Sequence, residues 1–220
     1  GLVSADGSIV LFSSLAGDLL SGYPCDRSDG CFWSHTYVRD RDARTLKLLN
    51  VDSLGQLVQA GVYPVGISGD GRVAVLNAEL PLLPDDQNNE VLDLYARELE
   101  TGTLWRVNHS EAGEDIRILV KDVGVSGDGC LVVFQTYPPV GSPEIALYDC
   151  ALGYARVIAA NAGGAPVAIS SDGRFVSYGA NRPSANGPEA DAIVRFDRES
   201  GTEEVIAFPS QGDVRGRRLL

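Results

Sequence analysis

A tetrapeptide of the form Ser-x-Asp-Gly occurs at four places in this chain of 220 residues: Ser4 to Gly7, Ser68 to Gly71, Ser126 to Gly129 and Ser170 to Gly173. Recurrence of that kind restricts the fold more than any other feature, because a repeated unit must bury its apolar face against copies of itself. Three copies follow short apolar stretches, Val65-Gly66-Ile67, Val123-Gly124-Val125 and Val167-Ala168-Ile169. Runs suited to strands come after, such as Val73-Ala74-Val75-Leu76 and Leu131-Val132-Val133-Phe134. The pattern reads as strand, tight turn, strand. Glycine accepts a positive φ, and aspartate tolerates the turn while bonding its own backbone. Asp6, Asp70, Asp128 and Asp172, with Gly7, Gly71, Gly129 and Gly173, are therefore expected to be turn residues.

A second motif trails each first one: an acid, often beside an Arg, then Thr or Ser before Gly. Its copies centre on Asp40, Glu98, Asp149 and Asp197, and the last three precede strand-like Leu104-Trp105-Arg106-Val107, Ala155-Arg156-Val157-Ile158 and Glu203-Glu204-Val205-Ile206. Each unit thus holds two hairpins and four short strands. The repeats run 64, 58 and 44 residues from one turn Asp to the next. The shortest is close to the roughly 40–50 residues of a four-stranded propeller blade, and the excess falls in connecting loops. The expected architecture is an all-β propeller of four recognisable blades forming one domain over 1–220, with blades at approximately 1–51, 60–109, 118–160 and 164–208.

The motifs resemble the TolB-like β-propeller repeats of periplasmic and secreted bacterial proteins. In that family a blade runs Ile-Ser-x-Asp-Gly-Arg, then a polar loop, then Tyr-Val-Arg-Asp followed by Thr-Gly. The second repeat follows it from Ile67-Ser68-Gly69-Asp70-Gly71-Arg72 through Pro84-Asp85-Asp86-Gln87-Asn88-Asn89 to Asp93-Leu94-Tyr95-Ala96-Arg97-Glu98 and Thr101-Gly102, and the resemblance covers nearly all of 3–206. It implies an extracytoplasmic, bacterial location.

Two departures stand out. The first repeat carries an insertion from Ala16 to Ser34 containing Cys25 and Cys31, and the third has Cys130 after its Asp-Gly and Cys150 after its acid. A hairpin places Cys130 opposite Cys150, within bridging reach. A bond between Cys25 and Cys31 would restrain the insertion. Two disulfides are favoured over free thiols and over zinc, since neither pair has zinc-knuckle spacing, and they indicate an oxidising compartment.

Catalytic signatures are sparse. Gly66-Ile67-Ser68-Gly69 and Gly124-Val125-Ser126-Gly127 begin like a nucleophile elbow, yet Asp70 and Asp128 stand where glycine is required. His35 and His109 are the only histidines and read as exposed loop residues. Asn108-His109-Ser110 has the form of a glycosylation sequon. No cofactor is expected, with a weak calcium candidate in the oxygen-rich Asp85, Asp86 and Asn88.

The net charge of −12 repels phosphate backbones and anionic lipid, and no apolar run reaches the roughly 20 residues of a membrane span. Neither nucleic acid nor membrane insertion is expected. The expected function is a non-catalytic extracytoplasmic scaffold for protein-protein contact, hence not an enzyme; the alternative is a propeller enzyme or carbohydrate-binding module with its site in the central funnel. The absence of Met and the start at Gly1 lead to the expectation that further N-terminal sequence belongs to the protein. The four blades are expected to form an arc completed by another subunit or by further propeller sequence, in preference to a tight four-bladed ring.

Overall fold

The computed structural model describes residues 1–16, 19–20, 34–86, 92–163, 166–184 and 187–207. They form four antiparallel sheets of four strands, each a simple meander in which every strand pairs with its sequence neighbour. Blade 1 comprises β1 (Leu2–Val3), β2 (Ile9–Ser14), β3 (His35–Asp40) and β4 (Thr45–Leu48). Blade 2 comprises β5 (Val62–Ile67), β6 (Val73–Ala78), β7 (Asp93–Glu98) and β8 (Leu104–Arg106). Blade 3 comprises β9 (Ile118–Val125), β10 (Leu131–Thr136), β11 (Glu144–Asp149) and β12 (Tyr154–Ala159). Blade 4 comprises β13 (Ala168–Ile169), β14 (Phe175–Ser184), β15 (Gly187–Asp197) and β16 (Thr202–Ala207). No helix occurs among the described residues.

Successive side chains of a strand point to opposite faces, so a strand buried on both faces must be apolar throughout. The second strands of the two middle blades, β6 and β10, are buried at every position and meet that demand over their first four residues, with polar Asn77, Gln135 and Thr136 at their ends. Val73 and Val75 face blade 3, where they join Val132, Phe134, Ala146 and Tyr148 in one cluster. The alternate residues Ala74 and Leu76 face blade 1 and pack with Leu11, Val38 and Val62. On β10, Leu131 and Val133 turn toward blade 4 and meet Val176, Tyr178 and Val194. The core is thus a series of slabs between blades.

The inner strands pack in sequence, β1 on β5, β5 on β9 and β9 on β13, and no packing of comparable extent joins β13 to β1 among the described residues. Each end blade therefore keeps one face without a neighbouring blade. On blade 1 that face carries the cross-strand row Val3, Val10, Arg39 and Leu46, while beside it Phe12, Tyr37 and Leu48 are covered by Val51, Leu57 and Leu20 of the same chain. Val3 is 57% exposed there. On blade 4 the corresponding face carries Phe175, Arg195, Ile193 and Glu204, with Ile193 40% exposed.

Candidate functional site

The turns that end the inner strands are built identically. In each the serine hydroxyl donates to its aspartate Oδ1: Ser4 to Asp6 at 2.7 Å, Ser68 to Asp70 at 2.6 Å, Ser126 to Asp128 at 2.6 Å and Ser170 to Asp172 at 2.5 Å. The same oxygen of aspartate accepts the backbone N–H two residues on, from Ser8, Arg72, Cys130 and Arg174. Each serine oxygen in turn accepts the amide that starts the next strand, at Ile9, Val73, Leu131 and Phe175. The following glycines have φ of +74°, +73°, +76° and +73°, in the region that only glycine enters without strain. The serine hydroxyl, with the backbone donors, holds the Asp6 carboxyl down at about 2 and lowers those of Asp128 and Asp172. The lone pairs of these aspartates thus serve their own turns.

The turns also touch one another. Ala5 N donates to Gly69 O at 2.9 Å, Asp70 N to Gly127 O at 2.9 Å and Gly127 N to Ser171 O at 2.8 Å. A chain of backbone bonds therefore runs from blade 1 to blade 4 along the inner rim. The x residue of the motif is glycine in the two middle blades because the next turn lies against it: a Cβ on Gly69 would sit 3.1 Å from Gly127 Cα, and one on Gly127 2.3 Å from Ser171 Oγ.

At the second hairpin each acid closes its own turn, Asp40 by accepting from Ala43 N, Glu98 from Thr101 N, Asp149 from Ala151 N and Asp197 from Glu199 N. Four residues beyond the acid the backbone takes a positive φ, at Gly102, Gly153 and Gly201 and, in blade 1, at Arg44 with φ +57°. The two hairpins of each blade are joined by one backbone bond, Arg41 N to Ser8 O, Leu99 N to Arg72 O, Cys150 N to Cys130 O and Arg198 N to Arg174 O. Blade 4 reinforces that junction with the Arg174 to Asp197 ion pair at 2.8 Å, and blade 2 more loosely with Arg72 to Glu98 at 3.8 Å. Blade 3 uses the Cys130–Cys150 disulfide at the same place. The pair Cys25 and Cys31 lies outside the described residues.

The two histidines occupy different settings from the exposed loops expected of them. His35 opens β3 and is 4% exposed, with neither ring nitrogen bonded, so burial pushes its pKa down. The ladder pairing of His35 with Ser14 draws it into the sheet. His109 is partly buried, its Nδ1 3.1 Å from Ser110 O and its ring edge-on to Tyr148. Asn108 of the sequon is fully buried and bonded by its amide to Asp93, to Ile116 O and to Leu94 N, which closes it to glycosylation in the folded chain. Asn50 does the same for Thr36 in blade 1. Sequence reading missed this pair; an Asn following the fourth strand in both repeats was the available signal.

Of the calcium candidates, Asp86 is buried, accepts from the Tyr95 hydroxyl and lies 3.5 Å from Arg106 Nη1, Asp85 is exposed, and Asn88 lies outside the described residues. Among the described residues one trio of metal-type ligands converges, Cys130, Asp149 and Cys150, and its two sulfurs are bonded to each other. A cavity of about 480 Å³ opens between blades 2 and 3, lined by Asp85, Asp86, Trp105, Arg106, His109 and Tyr148 among others.

This arrangement of four-stranded meanders around a common inner rim is the β-propeller fold. Comparison with solved structures gives the same result. Over 93% of its length the chain superimposes on TolB from Acinetobacter baumannii with a TM-score of 0.56 and 14% identity, covering 43% of that protein. A putative TolB from Agrobacterium tumefaciens matches over 94% with a TM-score of 0.55 and 17% identity, and 63% of it is covered. A puromycin-hydrolyzing peptidase from Mycobacterium tuberculosis matches over 94% with a TM-score of 0.57 and 13% identity, with 28% of it covered. The chain spans less than two thirds of the length of each. No family model and no curated protein matches the sequence. The expectation that the chain is not an enzyme is corrected by the third of these likenesses: the same blades occur in a peptidase, so the fold gives no ground for excluding a part in catalysis.

Proposed function

We propose that the chain is an extracytoplasmic propeller scaffold that engages another protein, or further propeller blades, through the open face of its first blade. The observation that carries this reading is the row Val3, Val10 and Leu46, apolar but for Arg39, on the one face of blade 1 that no other blade covers, beside Phe12, which packs on Tyr37, Leu48 and Val51. The opposite face of the same sheet, with Leu2, Leu11 and Val38, is packed against blade 2. A sheet face of this composition is a contact surface, because covering it removes apolar area from water at roughly 25 cal/mol per Å². The Cys130–Cys150 bridge supports an oxidising compartment. The net charge of −12 argues against nucleic acid as the partner.

Phe12→Glu and Val3→Arg place charges on that face and leave the blade 1 to blade 2 slab intact. Co-purification from the native source, with all bound chains identified, is expected to recover a partner with the parent chain and to lose it with the double variant. Equal recovery with both would refute the assignment of this face.

A further inference from the structure

We propose that the cavity between blades 2 and 3 is a binding site for a neutral sugar residue. The argument rests on which polar groups lining it are already used. Arg106 is neutralised, with Nη1 2.6 Å from Asp115 and 3.5 Å from Asp86, and Asp86 also accepts from the Tyr95 hydroxyl. Those groups form the wall and leave four others. Trp105 lines the cavity, and its indole N–H is buried without an acceptor. Tyr148 lines it too; the residue is only 5% exposed, and its hydroxyl has no hydrogen-bond partner among the described residues. Asp85 contributes an exposed carboxylate. His109, whose Nδ1 faces the Ser110 carbonyl at 3.1 Å, is left with Nε2 as an acceptor.

Buried donors without acceptors are costly unless a ligand supplies acceptors. Here one such donor, the Trp105 indole N–H, adjoins a cavity whose wall also carries the unpartnered Tyr148 hydroxyl and two unused acceptors. An anion would meet Asp85 and Asp86 with Arg106 already paired. A bare cation would satisfy the carboxylate and leave the indole N–H without an acceptor. A polyhydroxylated molecule meets both demands, since each hydroxyl donates and accepts. The C–H face of a pyranose also lies well against an aromatic ring, and a volume of about 480 Å³ is within the range of small-molecule sites. This site is separate from the open face of blade 1, and its ligand is of another class.

The test titrates the whole chain with maltose, cellobiose, lactose and di-N-acetylchitobiose, by calorimetry and saturation-transfer NMR. At least one is expected to bind saturably with a Kd of about 10 mM or tighter, as ligand efficiencies for molecules of this size allow. Tyr148→Phe removes only the hydroxyl and is expected to weaken binding about three- to tenfold, the worth of one neutral hydrogen bond. Trp105→Phe is expected to weaken it similarly, with unchanged circular dichroism showing that the blades persist. Phe12→Glu on blade 1 is expected to leave the Kd unchanged. Absence of binding by all four sugars overturns the proposal, as does binding indifferent to both Tyr148→Phe and Trp105→Phe. So does the same cavity taking arginine or choline in their place.

Discussion

Gly127 donates its amide to the Ser171 carbonyl at 2.8 Å, and a Cβ added to Gly127 would lie 2.3 Å from Ser171 Oγ and 2.8 Å from Ser171 O. The bond and the close approach are one feature: the turn of blade 3 can reach the turn of blade 4 only without a side chain between them. Gly127→Ala is therefore expected to destabilise the protein by about 1–3 kcal/mol, the usual range for overpacking. Ser171→Gly in the same chain removes one of the obstructing atoms and should restore part of the loss. Urea unfolding of the two variants checks this, and an unchanged midpoint for Gly127→Ala would refute it.

Arg44 holds φ +57° at the position where the other three blades have Gly102, Gly153 and Gly201. A non-glycine residue there carries strain of about 1–2 kcal/mol, against which glycine adds roughly 0.5–1 kcal/mol of freedom to the unfolded chain. Arg44→Gly is expected to stabilise the fold by about 0.5 kcal/mol. The Arg39 guanidinium bonds the carbonyl of residue 44 and so is retained in the variant. Thermal unfolding at matched pH is the measurement.

His35 and Asp93 open equivalent strands, both buried, each preceding a residue whose N–H donates to Asn50 or Asn108. Burial acts on them in opposite senses. It raises the Asp93 carboxyl to about 6, the nearby Asp86 and Asp115 adding to the effect and the Asn108 amide opposing it. It lowers His35 below 6.5. The folded state thus binds the Asp93 proton more tightly than the unfolded chain does, so that contribution is present below pH 3.8 and is lost as pH rises through about 6. For His35 the contribution is present above pH 6.5 and is lost as pH falls through it. Asp93→Asn, which can still accept from Asn108, is expected to raise stability at pH 7.5 by on the order of 2 kcal/mol, with the gain vanishing toward pH 4. His35→Phe should flatten the fall in stability below pH 6.5. Denaturation midpoints measured between pH 4 and 8 decide both.

The bridge between Cys130 and Cys150 closes a sequence separation of 20 residues, which in a chain-entropy account is worth about 3 kcal/mol. Cys130→Ser with Cys150→Ser is expected to lose an amount of that order. Cys130→Arg with Cys150→Leu should regain some of it, since Arg72 and Leu99 hold that junction in blade 2 and Arg72 pairs with Glu98 there. Chemical unfolding with and without reductant is the check, and parent protein insensitive to reductant would contradict the estimate.

The architecture was legible in the sequence because its determinants are local. A positive φ at Gly7, Gly71, Gly129 and Gly173 needs glycine, and the aspartate before each accepts bonds from its own turn, so both were written into four short strings. The unbroken apolar runs Val73 to Leu76 and Leu131 to Phe134 likewise marked strands. The opposition of Cys130 and Cys150 followed from hairpin pairing alone. What tertiary structure decided lies between blades and at strand ends. Trp105 and Tyr148 are far apart in the chain and line one cavity only because blade 3 packs on blade 2. His35 reads as a loop residue until its pairing with Ser14 draws it into the sheet. The open face of blade 1 is visible only as the side of a sheet that lacks the neighbour its other side has. Turn chemistry acts over four residues and survives in any context, whereas burial and cavities depend on which surfaces the repeats bring together.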